Sequence, residues 1–288
     1  MTRWLVTGAG GALGQDLLAA LTGMPAEVVG LDRRSLDITD ATAVEKTLDE
    51  THPDVVLNAA AYTRVDDAER HEDEAARVNA DGPGHLARWC AANGSRLIHV
   101  STDYVFPGDA RTPYETDAAT GPSGAYGRTK LAGERAVLEA NGDCHVVRTG
   151  WLYGAGGPSF IRAVGRRLTA GEAVDVVTDQ RGAPTWTRDL ALRLIALGGT
   201  PVPPGVWHCS AAGEATWFDV AVALAEALGV PATRVRPTTS AAMKRPAPRP
   251  AYSVLSARRW LDAGLPAMPQ WQPALVEAIG EQREALTG

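Results

Sequence analysis

Tyr126 and Lys130 stand four residues apart in AYGRTKLAGE, a segment whose apolar residues recur at helical spacing, so the phenol and the ammonium share one helical face. A free phenol titrates near about 10 and serves poorly as an acid or base at neutrality; a neighbouring cation favours its phenolate. A lysine one turn along can also bind a ribose. Upstream, the β-rich run Leu97 to Ser101 ends in Thr102-Asp103-Tyr104. If that run is a strand of a parallel sheet, the Thr102 hydroxyl arrives at the carboxyl edge, where ligands bind, and can hydrogen-bond a substrate carbonyl beside the tyrosine. The chemistry open to such a set is proton transfer to or from a carbonyl or alcohol.

A second constellation supplies an electron carrier. Gly8-Ala9-Gly10-Gly11-Ala12-Leu13-Gly14 follows the first β-rich run at once and opens an amphipathic helix. Small residues at Gly8, Gly11 and Gly14, with Ala12 and Leu13 between them, let backbone N–H groups approach a pyrophosphate at the helix's positive end. Asp32 ends the second run, where a carboxylate accepts from the ribose hydroxyls of NAD. Arg33 and Arg34 follow, where a guanidinium pairs with the 2′-phosphate of NADP. The balance favours NADPH, with NADH the alternative. Asp37 and Ile38 lie within reach of the adenine, and Asn58-Ala59-Ala60-Ala61 ends the third run with side chains small enough to leave room for a cofactor.

Five runs must position these groups: Trp4 to Thr7, Glu27 to Leu31, Val55 to Asn58, Leu97 to Ser101 and His145 to Thr149. They alternate with helical stretches at Gly14 to Leu21, Ala41 to Glu50, Glu72 to Asn93 and Tyr126 to Ala140. The expected fold is α/β, a doubly wound parallel Rossmann sheet with a second, smaller substrate-binding domain. Residues 1–150 form the NAD(P)-binding domain, 179–198 return to it, and 151–178 with 199–288 form the second domain. After Trp151 the alternation stops: helices are expected at Phe160 to Ala170, Thr187 to Leu197 and Thr216 to Leu228, and a short strand at Val174 to Val177. GGTPVPPG and KRPAPRP read as stiff connecting segments.

Composition excludes several classes. A 288-residue chain with 45% hydrophobic residues can build a large core, and a formal net charge of -6 with scattered basic residues gives no footprint for nucleic acid. No apolar run reaches membrane-spanning length, and the N-terminus lacks the hydrophobic region of a signal peptide. Cys90, Cys144 and Cys209 are odd in number and far apart, as buried free thiols in a reducing cytoplasm would be. No His or carboxylate cluster calls for a metal; the acidic run Asp66 to Glu74 reads as a solvated face.

Beyond these local signals, the chain resembles the dTDP-4-dehydrorhamnose reductases, extended short-chain dehydrogenases. The resemblance runs nearly end to end and is carried by PDVVLNAAAYTRVDDAE, STDYVFPG, AYGRTKLAGE, VRTGWLYG, DQRGAPT and RPAYSVL. It implies a two-domain enzyme with NAD(P)H in the first domain and a dTDP-sugar held between the two. Residue by residue, it places Thr102, Tyr126 and Lys130 on the catalytic triad and Thr102, Asp103 and Trp151 on the sugar-nucleotide contacts. It places Gly11 to Leu13, Asp32, Asp37, Ile38, Ala61, Tyr62 and Thr63 on the cofactor contacts. Taken by itself, Trp151 reads equally as a core aromatic at the domain boundary.

Two positions depart from the pattern. Gly150 stands where a serine is common, and Arg188 stands where some members carry an acidic residue tied to magnesium-bridged dimers. Neither that dimer mode nor a magnesium role is carried over, and a homodimer is left as one assembly the chain can form. The expected activity is reduction of the C4 keto group of a dTDP-4-keto-6-deoxy sugar. Two alternatives differ in what they require. A 4,6-dehydratase needs an Asp-Glu pair after the threonine, where this chain has Thr102-Asp103-Tyr104. A non-catalytic NADP-binding subunit of a methionine adenosyltransferase has no need of an intact Thr102, Tyr126 and Lys130.

Overall fold

The computed structural model describes residues 1–288. Strands β1 (Thr2–Thr7), β2 (Ala26–Leu31), β3 (Val55–Asn58), β4 (Arg96–Thr102) and β5 (Cys144–Thr149) lie in one parallel sheet, in the order β5-β4-β3-β1-β2. Every residue of β3 and β5 is buried, as befits strands covered by helices on both faces. The crossovers run to one side from β1 to β2 and to the other from β3 onward. The crevice between β1 and β3 is therefore the switch point where ligands bind in such sheets.

One face of the sheet packs through Leu5, Val56 and Leu97 on the helices Ala41–Thr51 and Gly82–Asn93. On the other, Trp4, Val6 and Ile98 pack on helix α1 (Ala12–Thr22) and on Thr187–Gly199. Part of the chain after 199 also packs with this sheet, Trp260 and Leu265 included. Gly205–His208 joins the main sheet as its sixth strand, parallel to β5, with Trp207 buried beside Trp260. Proline and glycine before it obscure a strand only four residues long.

The second unit has its own core. Helices Phe160–Thr169, Trp217–Leu228 and Trp271–Thr287 pack together over a parallel pair, Val174–Val177 with Val235–Thr238. Ser159 caps the first helix, and Thr216 with Asp219 forms a reciprocal capping box on the second, which fixes where each begins. The expected continuous helix from Glu72 to Asn93 is interrupted by a π-helical turn, Arg77–Asp81. All three cysteines are free and buried. No helix is long and apolar enough to cross a membrane, and no group of three or more His, Cys, Asp or Glu is placed to hold a metal ion.

Candidate active site

The carboxyl ends of β1 to β5 open into a cleft of about 1490 Å³ that continues under the second unit. Its walls include Gly8, Gly11 to Gly14, Asp32, Arg33, Asp37, Ile38, Ala61 to Thr63, Thr102, Asp103, Tyr126, Lys130 and Trp151; Asn58, at the end of β3, is not among them.

At one end lies the glycine turn. Gly8 has φ +70°, and a Cβ there would fall 2.6 Å from the Ala60 nitrogen; a Cβ on Gly14 would fall 2.2 Å from the Gly8 carbonyl oxygen. Only glycine lets the turn close on β3 and α1 start directly beneath it. Gly11 begins α1 without a side-chain cap, so the first-turn N–H groups of Ala12 and Leu13 keep their hydrogen-bonding capacity for a ligand.

Beside the turn, Asp32 uses only Oδ1 inside the protein, accepting from the Ser35 hydroxyl and from the backbone N–H groups of Arg34 and Ser35. The Ser35 bonds, first of all, hold its carboxyl below the ordinary range. Oδ2 remains available to a ribose. Arg33 and Arg34 are exposed at the cleft and have no carboxylate partner. An uncapped helix end, a free carboxylate oxygen and two uncommitted guanidinium groups fit a dinucleotide, and the last of these fits a 2′-phosphate. Asp37 is bonded to Thr39, and Ile38 is buried in the adjoining wall.

Tyr62 serves differently from its neighbours Ala61 and Thr63. Its ring is buried and its hydroxyl donates to Asp67, so the side chain is an anchor. Asn79 clamps the backbone there: Tyr62 N–H donates to its Oδ1, while its Nδ2 donates to the Tyr62 carbonyl and to Thr129 on the Tyr126 helix. Asn79 sits in the π-helical turn, and nothing in the surrounding sequence marks it out.

Ala125–Glu139 forms the helix that carries Tyr126 and Lys130. The expected activation of one by the other is not what this geometry provides. Lys130 is fully buried; its Nζ donates to the Val100 carbonyl at 2.7 Å and lies 3.4 Å from His99 Nε2, and burial pushes it down to about 8. Tyr126 is pushed up to about 12 by burial, with the Asp103 charge opposing ionisation and the Thr102 hydroxyl favouring it. The reason is directional: a desolvated ammonium turns to the nearest carbonyl, and sharing a helix face does not oblige it to point at the phenol. The Tyr126 ring meets Tyr104 edge-on at 5.6 Å.

Behind Lys130 lies a buried polar cluster that no sequence pattern singles out. Thr7 and the Ala60 N–H donate to Asn58 Oδ1, so the Asn58 amide nitrogen faces His99 Nδ1 at 3.0 Å. This assignment leaves the imidazole proton on Nε2, so the 3.4 Å approach of the Lys130 ammonium is a donor–donor contact and not a hydrogen bond. His99 is held neutral, its pKa well below the ordinary value because of burial and the nearby ammonium. A second buried group, Glu134 with Arg148 and Ser101, ties the same helix to β4 and β5.

Trp151 leaves β5 with φ +53° and stacks on Trp217 at 3.5 Å, the rings 5° from parallel. Both line the cleft, and both pack on the second unit's core. The pocket and core readings of Trp151 are thus compatible. Replacing it with alanine is expected to raise KM for the sugar nucleotide about tenfold, the loss of roughly 1.4 kcal/mol of contact. Thermal stability should fall too, by less than the roughly 3–5 kcal/mol of a fully buried aromatic. An unchanged KM with a large stability loss would leave only the core role. Lys244 and Arg245, in the KRPAPRP segment, also line the cleft, and Lys244 has no carboxylate partner; from its composition that segment reads only as a stiff connection.

A doubly wound sheet, a dinucleotide cradle at its switch point and a Thr, Tyr and Lys set in the same cleft define an extended short-chain dehydrogenase/reductase, a class of NAD(P)-dependent oxidoreductases. A family model described as the RmlD substrate binding domain matches residues 2–284, and the chain belongs to the dTDP-4-dehydrorhamnose reductase family. It is 50% identical over 282 residues to a dTDP-4-dehydrorhamnose reductase of Streptomyces griseus, covering 96% of this chain and 93% of that one. It is 47% identical over 278 residues to a dTDP-4-keto-6-deoxy-D-glucose reductase of Streptomyces niveus, covering 96% of each. Among solved structures, a dTDP-4-dehydrorhamnose reductase of Bacillus anthracis in complex with NADP superposes with a TM-score of 0.94 at 33% identity, covering 98% of this chain and all of that one.

Proposed function

We propose that the chain reduces the C4 keto group of a dTDP-4-keto-6-deoxy sugar, such as dTDP-4-dehydrorhamnose, at the expense of NADPH. The observation that carries this reading is the joining of three things in one cleft: a dinucleotide cradle, the Thr102 and Tyr126 hydroxyls, and an aromatic wall contributed by the second unit. NADPH, when bound, supplies the hydride. Gly8, Gly11 to Gly14 and Asp32 would hold its pyrophosphate and adenosine ribose, and Arg33 and Arg34 its 2′-phosphate. Lys130 would hold the nicotinamide ribose.

The chain's own contribution is to place and protonate the reacting oxygen. Tyr126 is a neutral phenol far beyond neutrality, so it enters the reaction as a proton donor. Thr102, fixed at the end of β4, directs the carbonyl oxygen toward that phenol. Trp151 and Trp217 exclude water from the sugar and give its apolar face a surface. The reading includes a cytoplasmic setting, supported by three free thiols.

The test is incubation with NADPH and a panel of dTDP-4-keto-6-deoxy sugars, with NMR assignment of the product's C4 configuration. Reduction of at least one panel member at C4 is expected; no consumption of NADPH with any of them contradicts the reading. A second expectation concerns cofactor choice. The Arg33→Ala/Arg34→Ala variant should lose a modest NADPH preference, measured as the ratio of kcat/KM for NADPH and NADH. An unchanged ratio would remove both arginines from the cofactor site.

A further inference from the structure

Thr102 cannot serve a substrate carbonyl with the hydrogen bonds it makes here. Its hydroxyl donates to Asp103 Oδ1 at 3.0 Å and accepts from the Tyr104 N–H at 3.2 Å. A hydroxyl has one proton, and an ionised carboxylate offers no proton in return, so the threonine's hydrogen is committed inward. We infer that Asp103 is a positioning residue that sets the direction of the Thr102 hydroxyl hydrogen. Ionised, it draws that hydrogen away from the cleft; neutral, it donates its own proton to Thr102 Oγ1 and frees the threonine hydrogen for the substrate oxygen. This rests on the reductase reading and adds to it a group that acts through another.

The surroundings of Asp103 suit both states. Its side chain is nearly inaccessible, and the backbone of Gly150 lies flat against it: a Cβ at 150 would fall 2.7 Å from Asp103 Cγ and Oδ2 and 2.9 Å from Oδ1. The carboxyl therefore has one seat and little water. The titratable groups facing it are the phenols of Tyr104 and Tyr126, both pushed up by burial and by the Asp103 charge itself. The uncharged hydroxyls of Thr102 and Ser253 face it as well, and no cation is among the groups that shift it. Burial, opposed by the nearby hydroxyls and by the backbone N–H groups of Asp103 and Tyr104, raises the carboxyl to about 6. A sugar in the cleft removes more water and moves it higher.

Reduction needs the neutral acid, so kcat for the wild-type protein should fall with rising pH, beginning at or above about 6 and by about tenfold per pH unit. Asp103→Asn presents an amide N–H to Thr102 permanently, and its kcat should lose this descending limb while NADPH affinity holds. Thr102→Val cannot read the state of Asp103; its residual, lower activity should also lack the limb. The limb persisting in either variant overturns the switch, as does a folded, NADPH-binding Asp103→Asn protein inactive at every pH under saturating sugar nucleotide; a raised KM alone reports the residue's sugar contact and leaves the kcat profile to decide. Melting temperature and NADPH titration establish folding for each. A wild-type protein that reduces no sugar nucleotide at any pH defeats the reductase reading and the switch together, whereas normal reduction with an unmoved profile in Asp103→Asn defeats the switch alone.

Discussion

Tyr126→Phe is expected to lower kcat by roughly 10²-fold or more, the usual worth of a positioned general acid, while NADPH binds as before. The phenol is the best-placed proton donor, because it is neutral across the working range and shares the cleft wall with Thr102. Phenylalanine keeps the ring, and with it the edge contact to Tyr104, so neither the helix start nor the cleft should collapse. The loss should therefore sit in the chemical step. Single-turnover oxidation of NADPH reports that step, and quenching of protein fluorescence by NADPH reports binding. Turnover near the wild-type value would show that the proton comes from elsewhere.

Glu134→Ala should be the most damaging change to stability, by about 3–5 kcal/mol. Arg148 Nε and Nη2 both donate to the Glu134 carboxylate, with a shortest contact of 2.7 Å, and Ser101 donates to it at 2.5 Å. Both charged side chains are buried, at 5% and 2% exposure. Removing the carboxylate leaves a guanidinium in a dry interior with only the Thr116 carbonyl, a stacking contact with Phe106 and one orphaned serine hydroxyl. Removing both charges, in Glu134→Leu/Arg148→Met, should cost far less, because no uncompensated ion remains. Denaturant unfolding of the three proteins decides the point, and a loss below about 1 kcal/mol for Glu134→Ala would mean water reaches the pair. The same group joins β4 to the Tyr126 helix, so the single variant should also loosen the spacing of Thr102 and Lys130.

Much of the fold and the site is legible in the sequence where the governing signal is local. The first five strands begin and end within two residues of the expected positions, because each is a short apolar run between turn residues, whether buried on both faces like β3 and β5 or at the edge like β2. The glycine turn and the Tyr126 to Lys130 spacing are likewise local patterns. What escapes has non-local causes. Asn58 and His99 are 41 residues apart, Asn79 and Thr129 are 50 apart, and Glu134 and Arg148 are 14 apart. Their roles exist only once the sheet has formed. The π-helical turn keeps the apolar spacing of an α-helix closely enough to pass for one, and Trp271–Thr287 carries Pro273 and Gly280, which blur its periodicity. The direction of the Lys130 ammonium departs from expectation for the same reason: spacing assigns a face, whereas burial and a nearby carbonyl choose the partner.

The most direct measurement of reduction at sugar C4 uses NADPH carrying deuterium at both positions of nicotinamide C4, with dTDP-4-dehydrorhamnose as substrate. The expected product is a dTDP-deoxysugar carrying deuterium on sugar C4, seen by NMR as loss of the C4 proton signal. Product with deuterium at another carbon, product without deuterium, or no product beside a bound cofactor would contradict C4 reduction by this protein.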